Sequence, residues 1–240
     1  MPVQLNGRTA KMDRILQLAE RHDLVVVEDA AQGVGSRYRG RSAGSFGMAG
    51  TYSFYPAKTL GCFGDGGAVV TNSGEVATTL RLLRDHGRND EGRVVAWGVN
   101  SRLDNIQAAV LLTRLRHLDE EIARRREVAQ MYEDGLHDIA GLVLPPAPEA
   151  DADHFDVYQN YEIESDRRDD LRAFLTQQGV ATLIQWAGTP VHQFEELKLD
   201  TQLPLTDALF RRCMLLPMNS MLTNDEVEIV ISEIRNFYGQ

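Results

Sequence analysis

Residues 24 to 29 read Leu-Val-Val-Val-Glu-Asp, an unbroken apolar run that ends in two acids. A strand with one wet face alternates, whereas a strand in a parallel sheet covered on both faces carries a run of this kind. Such a sheet needs a crossover element. Lys11 to Asp23 supplies it, because Met12, Ile15, Leu16 and Ala19 fall at helical spacing. PVQL at 2–5 reads as a strand ahead of that helix, and GTYSFY at 50–55 and GGAVVT at 66–71 read as two strands beyond the acids. The expected class is α/β.

After a polar loop, residues 102–136 place Leu103, Ile106, Val110, Leu111, Leu115, Leu118 and Ile122 at steps of three and four, which predicts one long helix with a narrow buried stripe. VLPPAPEADADHFD at 143–156 combines paired proline, small residues and acid, and suits an exposed connection near a domain boundary. The expected division is therefore 1–135, a large α/β domain that includes the long helix, and 136–240, a smaller α+β domain. In the second part, VYQNYEIE and VATLIQ read as strands and DRRDDLRAFLTQQG as a helix that Gly179 ends. A last helix begins at Thr223 and Glu226, which have capping-box spacing.

Charge and cysteine usage narrow the function. A formal charge of −10 opposes a nucleic-acid footprint and favours a small-molecule site. Cys62 and Cys213 have neither disulfide-framework nor metal-site spacing, and no apolar run approaches a membrane span. The start MPVQLNGRTAKMD lacks the pattern of a secretion signal. A cytoplasmic protein without nucleic-acid or membrane partners is expected.

Two residues carry candidate chemistry. Asp29 closes a strand at the edge where open α/β sheets bind ligands, and reads equally as a turn cap. Lys58 follows a strand and a proline among Tyr55, Leu60 and Phe63. It is either a solvated lysine or a partly buried amine whose lowered pKa suits Schiff-base chemistry. Glycines 61, 64, 66 and 67 are turn residues or let amides approach an anion, and they lack the P-loop order. An Asp and a Lys on neighbouring strand ends are what a pyridoxal phosphate site needs.

The ordered string VVVEDAAQGVGSRYRGRSAGSFGMAGTYSFYPAKTLGCFGDGGAVVTN, then LRDHG, then WGVNSRLDNIQAAVLLTRL, resembles the DegT/DnrJ/EryC1/StrS family of pyridoxal-phosphate-dependent sugar aminotransferases. IARRREVAQMY and LLPMNSMLTNDEVEIVISEIRNFY extend the likeness over almost the whole chain. The resemblance implies a type I aminotransferase fold with pyridoxal 5′-phosphate as cofactor. It makes Lys58 the lysine that bonds the cofactor and shuttles a proton, and Asp29 the carboxylate that keeps the pyridine nitrogen protonated. It sets Gln32 by the ring, Ser53 on the phosphate, and Asn100 on the phosphate of a neighbouring subunit in a homodimer. His192 falls in a region near the family's substrate site. Arg37, Arg39 and Arg41 read as a solvated hairpin or as an attractant for a nucleotide diphosphate.

Family members carry a further N-terminal portion with the first strands and a phosphate-gripping turn, so the chain is expected to be an N-terminally truncated member with exposed sheet edges. The expected activity is transfer of an amino group from an amino-acid donor, glutamate by preference, to a nucleotide-linked keto-sugar. The alternatives are a non-catalytic remnant or one part of a split enzyme, acting as a dimerisation or binding module, and an unrelated α/β binding protein. Lys58 argues against the family's dehydratase variant, which has histidine at that position.

Overall fold

Met12 and Ala19 are buried on one face of helix α1 (Met12–Arg21), and they pack with Val26 and Tyr38 while Ile15 and Leu16 flank them. The computed structural model describes residues 1–239. After α1 come β1 (Val27–Asp29), β2 (Arg37–Tyr38), β3 (Arg41–Ser42), β4 (Ala49–Ser53) and β5 (Gly67–Val70). Then follow α2 (Gly74–Leu83), α3 (Asn105–Leu115), α4 (Leu118–Leu136), β6 (Leu142–Val143), β7 (His154–Phe155) and β8 (Tyr161–Ser165). The chain ends with α5 (Arg168–Gln177), α6 (Pro204–Arg212), β9 (Cys213–Leu216) and α7 (Asn224–Tyr238).

Two compact units divide the chain, one formed by 1–123 with 152–159 and the other by 124–151 with 160–240. In the first, β1 and β4 run parallel, with Asp29 opposite Thr51, and β5 pairs antiparallel to β4. A second small sheet has the order β3-β2-β7. Tyr38 on β2 is buried and donates its hydroxyl to Asp13 at 2.8 Å. The second unit holds an antiparallel sheet, β6-β8-β9, whose middle strand buries alternate residues Tyr161, Ile163 and Ser165. Helix α7 buries Val227, Val230, Ile231 and Ile234, and starts in the expected capping box of Thr223 and Glu226.

Four expected elements differ. The apolar run at 24–29 contributes only three strand residues, and Leu24 and Val25 are 64% and 63% exposed. Asp23 turns left-handed at φ 51°, and the Leu24 N–H closes α1 by donating to the Ala19 carbonyl, so the first two apolar residues belong to a helix exit. The long helix is two: Arg116 and His117 donate to carbonyls three residues back, a tight turn that ends α3 before α4 begins. PVQL and VATLIQ supply isolated bridges only, Val3 to Asp29 and Leu183 to Leu215.

Candidate active site

Parallel pairing of β1 with β4 brings two chain reversals to one edge of the sheet. Asp29 ends β1 and Ser53 ends β4, and the Ala30 N–H donates to the Thr51 carbonyl at 2.9 Å across the gap. Asp29 Oδ1 accepts the Ala31 N–H at 3.0 Å, so this carboxylate does cap its turn; among the described residues no group donates to Oδ2. Strand alternation sends the preceding residue the other way. Glu28 is fully buried, and its carboxylate accepts hydrogen bonds from Gln4 Nε2 (2.7 Å) and from the amides of Gly44 (2.7 Å), Phe46 (2.5 Å) and Gly47 (2.9 Å).

Beyond β4 the chain bends at Pro56, and the Lys58 N–H donates to the Tyr55 carbonyl at 2.9 Å. Lys58 is partly buried. Burial pushes its amine below the ordinary lysine pKa, and the Asp29 carboxylate acts in the opposite direction, which sets the two groups within electrostatic reach of each other. Gly61 closes the bend where a Cβ would stand 2.7 Å from the carbonyls of both Tyr55 and Pro56. The loop is tied from outside. Gln159 Oε1 accepts the Thr59 N–H (2.6 Å) and hydroxyl (2.7 Å), and its Nε2 donates to the Ala57 carbonyl (2.8 Å). Arg114 donates to the carbonyls of Gly61 (2.8 Å) and Thr59 (3.3 Å) while pairing with Glu121 at 3.2 Å.

The remaining expected residues take separate places. Gln32 Oε1 accepts the Asn6 N–H at 2.7 Å, and Ser53 Oγ accepts the Tyr55 N–H at 3.3 Å. Asn100 is exposed and bridges to Asp85, and its Oδ1 accepts from Arg102 Nε at 3.1 Å. His192 belongs to the second unit, where its side chain is 5% exposed and its Nε2 lies 2.9 Å from Asp207 Oδ1. It lines a cleft of about 540 Å³ with Phe194, Glu195 and Lys198. The arginines of the hairpin are engaged: Arg39 pairs with Asp13 and Asp153 at 2.9 Å each, Arg41 donates to the Ser45 carbonyl, and Arg37 lies over the Phe155 ring. Sequence reasoning missed Glu28, Gln159 and Arg114. Glu28 was visible as the first of two adjacent acids, but Gln159 sits a hundred positions from Thr59 and carries no local signal.

Parallel strand ends, a partly buried lysine and a carboxylate within its electrostatic reach are thus found together in the first unit. The chain belongs to the DegT/DnrJ/EryC1/StrS aminotransferase family, whose model matches residues 1–235. It is 38% identical to a pleiotropic regulatory protein of Geobacillus stearothermophilus, over 99% of this chain and 64% of that protein. It is 41% identical to the dTDP-3-amino-3,4,6-trideoxy-alpha-D-glucose transaminase of Streptomyces venezuelae, over 99% of this chain and 62% of that one. The crystal structure of S. venezuelae DesV in complex with a ketimine intermediate superposes with a TM-score of 0.92 at 40% identity, covering 99% of this chain and 64% of DesV. The fold is thus that of the family's aminotransferases, and the chain spans just under two thirds of the length of these relatives.

Proposed function

We propose that the chain serves pyridoxal 5′-phosphate-dependent transfer of an amino group from an amino-acid donor, glutamate by preference, to a nucleotide-linked keto-sugar, as a cytoplasmic homodimer. The observation that carries this reading is the partly buried Lys58 amine, in the turn after β4, within electrostatic reach of the Asp29 carboxylate that ends β1. The transaminase relative and the ketimine-bound neighbour support it.

The residues present fit the cofactor by their chemistry. Lys58 offers an amine that burial makes less protonated than an exposed lysine's. Asp29 has a carboxylate oxygen beyond the one used on Ala31. Ser53 offers a hydroxyl at the end of the next strand, two residues beyond the partner of Asp29. When bound, pyridoxal phosphate supplies an aldehyde that exchanges amines and a ring that takes up electron density. Lys58 Nζ would be the nucleophile toward that aldehyde and afterwards the base that carries a proton. Asp29 would hold a proton on the ring nitrogen, and Gln32 would stand beside the ring. Ser53 and a neighbouring subunit's counterpart of Asn100 would donate to the phosphate. His192, whose Nε2 lies 2.9 Å from Asp207 Oδ1, is assigned to substrate binding.

A second reading, a dimerisation or binding module, is favoured by apolar surface on the first unit, where Leu24, Val25 and Trp97 are exposed, Trp97 to 97%. One titration separates the two. Pyridoxal phosphate added to the purified protein should give a visible absorbance band and a borohydride-stable label on Lys58, both absent in Lys58→Ala. Glutamate should then bleach the band. A protein that takes no label would leave the module as the standing reading.

A further inference from the structure

We propose that Gln159 is the positioning residue for Lys58, clamping the two peptide groups on either side of it; the inference rests on reading Lys58 as the cofactor lysine. The carbonyl of Ala57 belongs to the peptide before Lys58, and the N–H of Thr59 to the peptide after it. Both groups lie in a turn after β4, closed on one side by the Lys58 N–H on the Tyr55 carbonyl, and among the described residues no strand pairs with either of them. The side-chain amide of Gln159 takes both, with Nε2 donating to Ala57 at 2.8 Å and Oε1 accepting from Thr59 at 2.6 Å. A third bond, from the Thr59 hydroxyl at 2.7 Å, uses the second lone pair of the same oxygen. Donor and acceptor demands agree on a single orientation of the amide.

Burial makes the clamp matter. Gln159 and Thr59 are 6% and 2% exposed, so water does not substitute for a lost partner without opening the loop. Ala57, Lys58 and Thr59 lie outside any helix or strand, and beyond the local Lys58 N–H to Tyr55 carbonyl bond they are held by Gln159 and Arg114 from elsewhere in the chain. Arg114 holds the far side through the Thr59 and Gly61 carbonyls and leaves the groups adjoining Lys58 to Gln159. A lysine that must attack an aldehyde and later move a proton needs a fixed Cα, because a misplacement of about 1 Å can cost on the order of 10²-fold in reactivity.

Gln159→Met tests this, since it keeps the length and most of the packing while removing these three hydrogen bonds to Ala57 and Thr59. Without cofactor, hydrogen exchange at the Thr59 amide should accelerate about tenfold or more, with the helices unchanged. With cofactor, two ligands are compared. Pyridoxal phosphate capture, read by the visible band and borohydride labelling, depends on Lys58; binding of pyridoxamine phosphate, followed by calorimetry, needs the pocket but no bond to the lysine. The variant should lose about tenfold in capture and hold pyridoxamine phosphate within about twofold, and Lys58→Ala should abolish capture alone. Unaltered exchange at Thr59 would refute the clamp. An equal loss of both ligands would refute positioning, making Gln159 a structural residue only. A wild type that captures neither ligand overturns the cofactor reading itself and this inference with it.

Discussion

Replacing Glu28 by glutamine exchanges one carboxylate oxygen for an NH₂ group in a pocket furnished entirely with donors. Oε2 accepts from Gln4 and Gly44, and Oε1 from Phe46 and Gly47. Whichever oxygen is replaced, two N–H groups, buried at Gln4 and Gly44 or part-buried at Phe46 and Gly47, then face another donor. A hydrogen bond to a charged acceptor contributes about 1.5–3 kcal/mol, so two lost bonds amount to about 3–6 kcal/mol. Removing a buried charge returns part of this, because the carboxylate no longer has to be desolvated. The expected net loss is about 3 kcal/mol, a large share of the roughly 5–15 kcal/mol typical of a whole domain. Urea unfolding of the purified protein, followed by far-UV circular dichroism, would show it as a lower midpoint at unchanged slope. A loss below about 1 kcal/mol would mean that the turn at 43–47 reorganises freely, and the account of Glu28 as its anchor would be wrong.

Further outcomes are expected at other positions. Asp29→Asn removes the carboxylate that favours the Lys58 ammonium, so the amine's pKa should fall further; acylation of Lys58 against pH, with Lys11 and Lys198 as internal standards, should show its reactive form appearing at lower pH than in the wild type. Thr223→Ala should cost about 1 kcal/mol through loss of the α7 cap. The Glu226 carboxyl is held below its usual range by the Thr223 N–H and hydroxyl, so the cap's contribution is present above the ordinary glutamate pKa and lost as pH falls through the lowered one, which thermal melts at graded pH would detect. Gly135→Ala would set a Cβ 2.6 Å from Ile231 and should destabilise by about 1–3 kcal/mol, whereas Gly74→Ala, with nothing nearby at the start of α2, should stabilise by up to about 1 kcal/mol in the same melts.

Local patterns were legible and long-range clamps were not. The spacing of Met12, Ile15, Leu16 and Ala19 predicts α1, and Thr223 with Glu226 predicts the start of α7, because both signals lie within a few residues of the structure they cause. Leu24 and Val25 misled because apolarity alone does not distinguish a strand from the exit of a helix, where the left-handed Asp23 decides. The helix break at Arg116 and His117 was hidden by a periodicity that continues across it. At the candidate site, Asp29 and Lys58 were readable as a pair because both end β-prone runs. Gln159 was not, because a glutamine in a strand-like segment looks the same whether it faces water or the Ala57 and Thr59 peptides.

The side-by-side acids of β1 also set the strand's alignment. Glu28 reaches inward to four donors and Asp29 faces the opposite way, so a slip of one residue against β4 would bring Asp29 or Val27 to the place of Glu28. Aspartate is one methylene shorter and would leave amides placed for glutamate out of reach, and valine would offer them no acceptor. The turn at 43–47 therefore tells two neighbouring carboxylates apart by length, and the order Glu-Asp works as a keyed joint that admits the strand in a single setting.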